Sequence, residues 1–360
     1  MQDNALSRWL SPLMAFCLSF TIIATLAPMV GIQVDRQLDF WLLWLATMVI
    51  LALPICYLEI ALAKRSKGTA LNALSNLTRD ADASQRWRLV GWLAVLFIPF
   101  LAGGMLANAS QLLTHYTTAT IAPSWVFMAL LIVAVAFSFV PRKIIVLLSA
   151  VGVFAALILA NVMGTALPAW HVTPIEFSEW GSATVLALVA SGLGIGLYWQ
   201  TSVTTSQSSA SATQTVLPIW IAQLLAVIAF AFFASNTQIS SFALIVAVLS
   251  SCALLLNLAR EQLAQRQINL TVQWLIILLA LLLWLIPAVS TLFNALLMVW
   301  GLIICLIYAI FAGWIMKISH LRKAMNFSNE LFYNLWRIAV RVVLPLSIVM
   351  AIVAILGQLI

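Results

Sequence analysis

The Lys and Arg residues of this chain are confined to alternate gaps between long apolar segments. Sixteen of the seventeen basic residues follow this rule, and Arg36 is the exception. Apolar runs of about 20 residues can cross the hydrocarbon core of a membrane, and basic residues collect on its cytoplasmic side. The pattern therefore predicts an integral membrane protein that crosses the bilayer many times in one fixed orientation.

The composition excludes a water-soluble fold. Hydrophobic residues make up 64% of the chain and charged residues only 8%, and the mean hydropathy is +1.11. Soluble domains are about half apolar and about a quarter charged. No water-soluble fold could cover so much apolar surface, and no soluble domain fits between the apolar segments.

Eleven spans are predicted, and basic residues place the amino terminus inside. An odd number of spans then puts the carboxyl terminus outside, and the short loops favour a bacterial inner membrane. The predicted spans run from Arg8 to Gly31, Phe40 to Ala63, Leu89 to Leu112, Trp125 to Val140, Ile144 to Leu167, Ala183 to Gln200, Val216 to Ser235, Ser240 to Asn257, Thr271 to Ser290, Ala295 to Met316, and Trp336 to Leu359.

Charge and reactive residues disfavour several classes of function. The net charge of +7 collects at the cytoplasmic face beside anionic lipid, so it does not indicate nucleic-acid binding. All four cysteines lie inside apolar spans without CxxC spacing, which is typical of packing residues and not of disulfides or metal ligands. The three histidines lie in separate loops, and no HExxH, GxSxG or Walker motif is present. The chain is therefore not expected to be an enzyme.

The sixth span contains glycine at every second position, at Gly192, Gly194 and Gly196. Each glycine costs a helix about 1 kcal/mol relative to alanine, so the spacing permits a break at mid-membrane. Broken helices expose backbone groups that bind ions and solutes in many secondary transporters. Close helix packing through small residues is the alternative. The charge-free segment 201–211 that follows is either a flexible linker or a polar wall beside a vestibule.

Four segments resemble, in the right order, signature sequences of the neurotransmitter:sodium symporter family. The second span reads ALPICYLEIALAKR at 52–65, which is similar to the family's GIPLLLLELALGR. The eighth reads VLSSCALL at 248–255, which is similar to ALTSSISLLE. The tenth ends in IFAGW at 310–314, which resembles FVGW, and the eleventh begins LWRIAVRVVLP at 335–345, which resembles LWRFLIRYIAP.

This resemblance implies a single all-α transporter domain. Spans one to five, about residues 8–167, and spans six to ten, about 183–316, would form two inverted, interlocked repeats, with an extra helix at about 336–359. In that family the broken first and sixth helices and the eighth helix surround a central site. Members couple sodium entry to uptake of amino acids or related molecules. The implied partners are a small amino-acid-like solute, the lipid bilayer and Na⁺ as the coupling ion, with no other cofactor.

The resemblance also implies functions for individual residues. The predicted solute-binding residues lie in the first span and at the sixth-span break, and are Ser19, Thr21, Ser191, Gly192, Gly194 and Gly196. The predicted ion-binding residues are Ser250 and Ser251. Glu59 is expected either to brace the broken sixth helix or to reach the membrane interface near Lys64.

The first span departs from the family pattern, which leaves more than one hypothesis of function. Residues 17–28 read CLSFTIIATLAP, without the glycines and the asparagine of the family's GNAVGLGNFWRFP. Leu249 replaces a threonine, which removes one oxygen ligand for a hard cation. The chain is predicted to be an ion-coupled transporter or a transport-inactive relative with an accessory or sensing role; a channel is disfavoured because no filter repeat is visible. A continuous first helix would favour the inactive relative, because an unbroken helix leaves no ion-binding site in the first span.

Overall fold

The computed structural model of the protein describes residues 2–27, 37–116, 122–163, 169–192, 212–233, 241–316, 318–325, 327 and 329–358. We number the helices of this described part in chain order. They are α1 Gln2–Leu26, α2 Leu38–Ser66, α3 Ala70–Asp80, α4 Leu89–Tyr116, α5 Pro123–Phe137, α6 Arg142–Met163, α7 Phe177–Leu188, α8 Ala212–Phe233, α9 Ser241–Gln265, α10 Leu270–Leu285, α11 Ser290–Ile315, α12 Ser319–Met325 and α13 Glu330–Gly357.

The helices match the predicted spans. Within the described residues, eight helices are long and apolar enough to cross a membrane, namely α1, α2, α4, α6, α8, α9, α11 and α13. Helices α5 and α10 are apolar but shorter, and α7 ends after 12 residues where the sixth span is predicted to break. Each of the eleven predicted spans therefore corresponds to a helix, and the chain is an integral membrane protein.

One face of α6 shows how the fold meets lipid. Apolar side chains recur along it every three or four residues, so they form a single stripe on the helix surface. Each member of the stripe is between 48% and 75% exposed. Water would make such a stripe costly, whereas hydrocarbon is a good solvent for it. The stripe consists of Leu147, Val151, Phe154, Ile158 and Val162.

The helix contacts repeat between the two halves of the chain. Helix α1 packs against α8, and its counterpart α7 packs against α2. Likewise α6 packs against α9 as α11 packs against α4, and α4 packs against α5 as α9 packs against α10. Exchanging the first five spans with the next five thus reproduces the contacts, as a five-plus-five repeat requires. The extra helix α13 lies against α7 and α11.

Several spans begin earlier than predicted, and two of them do so because polar residues cap their first turns. Helix α7 begins at Phe177 and not at Ala183, because Glu176 and Glu179 form a reciprocal capping box at its start. Such boxes satisfy backbone N–H groups that have no partner inside the helix. Helix α13 begins at Glu330 and not at Trp336, because the Asn329 side chain accepts from two backbone N–H groups of its first turn. The amphipathic helix α3 within the second gap was not predicted.

The Asp39 carboxylate at the start of α2 binds the segment that precedes α7. Leu38 N donates to the carbonyl of His171 at 2.9 Å, next to an isolated parallel bridge between Gln37 and His171. The Asp39 carboxylate accepts from the Thr173 backbone N–H at 3.0 Å and from its hydroxyl at 3.2 and 3.3 Å. These bonds fix the entry into α7, and hence the broken span, relative to α2.

Replacing Asp39 by alanine is expected to lower the stability of the protein, because two donors of Thr173 lose a charged acceptor. The melting temperature of the detergent-purified variant measures this loss. A double-mutant cycle with Thr173→Val isolates the hydroxyl contribution. Strict additivity of the two substitutions would show that the side chains do not interact.

Candidate functional site

The sixth span is interrupted inside the fold. Helix α7 ends at Leu188, and the next four residues form a turn in which Ala190 N reaches back to the carbonyl of Val185 at 3.1 Å. Gly192 has a φ of 68°, in the left-handed region that glycine adopts without strain. The glycine pattern predicted a break from Ser191 onward, and the helix ends just before that residue. Gly194, Gly196 and the segment 201–211 lie outside the described residues.

The first span, in contrast, is one continuous helix from Gln2 to Leu26. The expectation of a broken first helix is therefore not met within residues 2–26, and the end of the predicted span, 28–31, lies outside the described residues. No glycine interrupts residues 2–26. The hydroxyl of Thr21 bonds back to the carbonyl of Cys17 at 2.8 Å, and that of Thr25 to the carbonyl of Thr21 at 2.9 Å. These bonds satisfy the threonines within the helix, so the carbonyls are not released to an ion.

Side chains from three helices converge on the sixth-span break. The carbonyl of Ser191 accepts from Gln223 Nε2 of α8 at 3.1 Å and from the Ser19 hydroxyl of α1 at 3.5 Å. The Ser191 hydroxyl lies 3.8 Å from the sulfur of Met48 in α2. Trp220 of α8 donates to the carbonyl of Met48 at 2.9 Å. The predicted residues Ser19 and Ser191 thus meet, and all five residues join α1, α2 and α8 at the break.

Met48 opens a π-helical turn, Met48–Ala52, in the middle of α2. Pro54 follows within two residues and has no N–H for the carbonyl of Ile50 four residues earlier. A wider turn is one way for a helix to absorb such a gap, and these turns often occur at functional sites. The turn lies directly beside the sixth-span break, because its first residue contacts Ser191.

The amide of Gln223 has a defined orientation. A backbone carbonyl can only accept a hydrogen bond, so the nitrogen and not the oxygen of the side chain must face Ser191. The opposite atom, Oε1, is buried and has no hydrogen-bond partner among the described residues. Gln223 itself is fully buried. A buried acceptor without a donor costs about 1–3 kcal/mol, so this oxygen is suited to a ligand that supplies an N–H or O–H group.

Three hydroxyl groups form a second polar cluster between α1, α6 and α9. The hydroxyl oxygen of Thr21 lies 3.0 Å from Ser251 Oγ, and Ser251 Oγ lies 2.9 Å from Ser149 Oγ. All three residues are buried. The predicted residues Thr21 and Ser251 therefore meet. Ser250 does not join them, because its hydroxyl bonds to the carbonyls of Val246 and Ala247 in its own helix.

This hydroxyl cluster does not fit an open sodium site. Sodium is a hard cation that takes several oxygen ligands. The cluster offers three neutral oxygens, from Thr21, Ser149 and Ser251, and these already bond to one another. The adjacent carbonyls of Cys17 and Leu18 accept from the Thr21 hydroxyl inside a continuous helix. The cluster acts in this arrangement as a polar contact that joins three helices.

We therefore expect the melting temperature of the purified protein to be the same in sodium chloride and in choline chloride of equal concentration. Thr21→Val removes one hydroxyl at nearly constant volume and should destabilise the protein by about 1 kcal/mol in both salts. A sodium-specific rise in the wild type that disappears in Thr21→Val would contradict this interpretation and restore the sodium site.

Glu59 is buried in α2, with 3% of its surface exposed. The alternative of a side chain reaching the membrane interface is therefore wrong. Among the described residues, Glu59 acts electrostatically on Cys305 and Tyr308 of α11, which places it between α2 and α11. A carboxylate in such surroundings is held by polar partners or loses its charge. A brace for the broken helix stays a prediction for this residue.

Sequence reasoning missed Gln223 and Ser149. Gln223 is the only side chain between Val216 and Phe233 that can both donate and accept hydrogen bonds, so a lone amide in an apolar span was the available signal. Ser149 carried no such signal, because serine is common in membrane helices as a packing residue. Asn108 bonds across helices, because its Nδ2 donates to the carbonyl of Thr25 and to Asn294 Oδ1.

Comparisons with known proteins place the fold. No protein-family model and no curated protein matches the chain. Solved structures do match it, and one is the crystal structure of MhsT in complex with L-phenylalanine. The two chains are 14% identical and have a TM-score of 0.61, with 95% of this chain and 98% of MhsT covered. This likeness confirms the predicted all-α membrane fold, a five-plus-five repeat with an added helix.

Proposed function

We propose that the protein is a membrane transporter that carries a small, amino-acid-like solute by alternating access. The observation that carries the proposal is the buried amide of Gln223 at the sixth-span break, whose Oε1 has no partner among the described residues. An ammonium group brings three N–H donors and would satisfy that oxygen. The shared fold with MhsT, which was solved with L-phenylalanine, supports the same class of solute.

The electrostatics of the break favour a cationic group beside Gln223. Helix α7 ends at Leu188, and the carboxyl-terminal end of a helix carries the partial negative charge of its last carbonyls. These carbonyls and the Gln223 oxygen are both acceptors. Together they are suited to the ammonium end of an amino acid and unsuited to its carboxylate, which would bind elsewhere.

Alternating access would exchange the bonds at Ser191. Its carbonyl now accepts from Ser19 of α1 and from Gln223 of α8, so three helices are joined at one atom. Opening the site requires that water or solute replace these bonds while one helix group rocks against the other. The distribution of basic residues supports a cytoplasmic amino terminus and an external carboxyl terminus, in a bacterial inner membrane.

A panel of ligands tests this proposal. Each of the twenty standard amino acids is added to the detergent-purified protein, and the melting temperature is measured in sodium chloride and in choline chloride, at pH 5.5 and pH 7.5. A ligand at a hundred times its Kd stabilises the native state by about 2.7 kcal/mol. We expect one or a few related amino acids to stabilise the protein. Dependence on the salt or on pH then distinguishes sodium from protons as the coupling ion.

The second candidate function is that of a transport-inactive relative with an accessory or sensing role. The continuous helix α1 favours it, because no break in residues 17–26 releases backbone carbonyls to an ion. Measurements of both binding and transport distinguish a transporter from an inactive relative. An inactive relative would bind a solute without moving it, or would bind none of the panel, whereas a transporter must move whatever stabilises it.

A further inference from the structure

A cavity of about 650 Å³ that contains charged residues lies away from the broken span. It is formed where the turn between α5 and α6 meets the last turns of α9 and the start of α10. Two of its residues are arginines and one is a glutamate, so its wall carries a net charge of +1. Its lining consists of Phe139, Arg142, Asn257, Arg260, Glu261, Ala264, Leu270 and Gln273.

The guanidinium of Arg142 lacks a close oxygen partner in the described part of the chain. Its Nη1 lies 3.9 Å from the Glu261 carboxylate, which is beyond hydrogen-bond distance. Its Nη2 lies 3.5 Å from the sulfur of Met14, a weak acceptor. Its Nε is buried without a hydrogen-bond partner among the described residues. The five N–H donors of Arg142 thus have almost no acceptor among the described residues.

Arg260 is fixed at the same cavity by aromatic rings. Its guanidinium carbon lies 4.8 Å from the ring centre of Phe139 and 5.8 Å from that of Trp274. Contact with ring faces holds the guanidinium plane in place and leaves its edges free to donate hydrogen bonds. Within the described residues, Arg260 has no carboxylate in ion-pair distance.

We propose that this cavity binds a phosphate oxyanion through Arg142 and Arg260. Guanidinium groups pair with phosphate through two parallel, charge-assisted hydrogen bonds, so two of them can hold one phosphate firmly. Glu261 offsets only part of their charge, since it is 3.9 Å from Arg142 and its side chain is 44% exposed. The proposal is independent of any transported solute.

A phospholipid headgroup and free phosphate share this chemistry. The cavity is bordered by Phe139 and Leu270, which are 61% and 60% exposed. Such apolar side chains can contact acyl chains while the arginines hold the headgroup. Basic pockets between membrane helices on the cytoplasmic side are typical sites for anionic lipid headgroups. The test must therefore separate the two sources of phosphate.

The experiment measures the melting temperature of the full-length protein in a non-ionic detergent. Three probes are titrated separately: short-chain phosphatidylglycerol, short-chain phosphatidylcholine and inorganic phosphate. The variants are Arg260→Gln, Arg260→Lys and Arg142→Gln. Arg86→Gln serves as the matched control, because Arg86 is exposed and lies in the 3-10 turn before α4, outside the cavity lining.

We expect saturable stabilisation of the wild type by phosphatidylglycerol, with at least about tenfold weaker affinity in Arg260→Gln, as for loss of hydrogen bonds to a charged group. Arg260→Lys should bind with intermediate affinity, and Arg86→Gln like the wild type. Stabilisation by inorganic phosphate with the same dependence on Arg260 would also support the site and assign it to free phosphate. Equal responses of Arg260→Gln and wild type to every probe would overturn the proposal. Equal stabilisation by the two lipids that depends on Arg260 would support a phosphate site that does not distinguish their headgroups. Arg260 is the primary variant because Arg142 also contacts α1 through Met14.

Discussion

Gly152→Ala is expected to lower the melting temperature of the purified protein by several degrees, with a loss of about 1–3 kcal/mol in stability. A methyl group on Gly152 would lie 2.6 Å from the backbone nitrogen of Ala247 and 2.9 Å from its Cα. Neither atom can rotate away, because both belong to the backbone of α9. Helices α6 and α9 would have to separate. Gly152→Leu should prevent accumulation of folded protein.

The same change at Gly357 provides the control, because nothing lies within 4 Å of the position where its methyl group would stand. Gly357→Ala is expected to leave stability unchanged or slightly raised, since alanine favours helix. Gly152 also lies one turn beyond Ser149, whose hydroxyl contacts Ser251 across the same interface. A Gly152→Ala protein as stable as wild type would show that α6 and α9 do not pack as closely as described.

Gln223→Leu is expected to abolish most solute binding. Leucine fills nearly the same volume but supplies neither the donor to Ser191 nor the free Oε1. The loss of a hydrogen bond to a charged ligand costs about 1.5–3 kcal/mol, which corresponds to roughly a tenfold to hundredfold rise in Kd. The measurement is the concentration of the stabilising amino acid that gives half of the maximal rise in melting temperature.

Gln262→Leu is the matched control for this substitution. Gln262 is equally buried, and neither polar atom of its side chain has a hydrogen-bond partner among the described residues. Its replacement by leucine should leave solute binding unchanged and should not destabilise the protein, because no hydrogen bond is lost. If Gln223→Leu binds the solute as tightly as Gln262→Leu does, the amide of Gln223 is not part of the solute site.

The spans and the break were predictable because they depend on local sequence. The basic residues mark the gaps between spans through a simple electrostatic preference. Gly192 and its neighbouring glycines weaken the sixth helix wherever its partners lie. The early start of α7 is also encoded locally, in the capping pair Glu176 and Glu179.

The rest depends on which helix faces which. Whether Thr21 bonds within its own helix or to an ion cannot be decided from its neighbours in sequence, because the partner Ser251 lies 230 positions away. Adjacent serines illustrate the same limit. Ser251 faces α1 and α6, whereas Ser250 turns its hydroxyl to its own backbone. A rotation of α9 by one residue would exchange the two, and only packing fixes that rotation.

Uptake by reconstituted vesicles tests whether the protein moves a solute across the membrane. The amino acid that most stabilises the purified protein is supplied in radioactive form, with an inward gradient of sodium, of protons or of neither. We expect saturable uptake by wild type and Gln262→Leu, at least about tenfold slower uptake at subsaturating solute in Gln223→Leu, and none in protein-free vesicles. Binding of that amino acid without uptake under any gradient would contradict transport and identify the protein as an inactive relative.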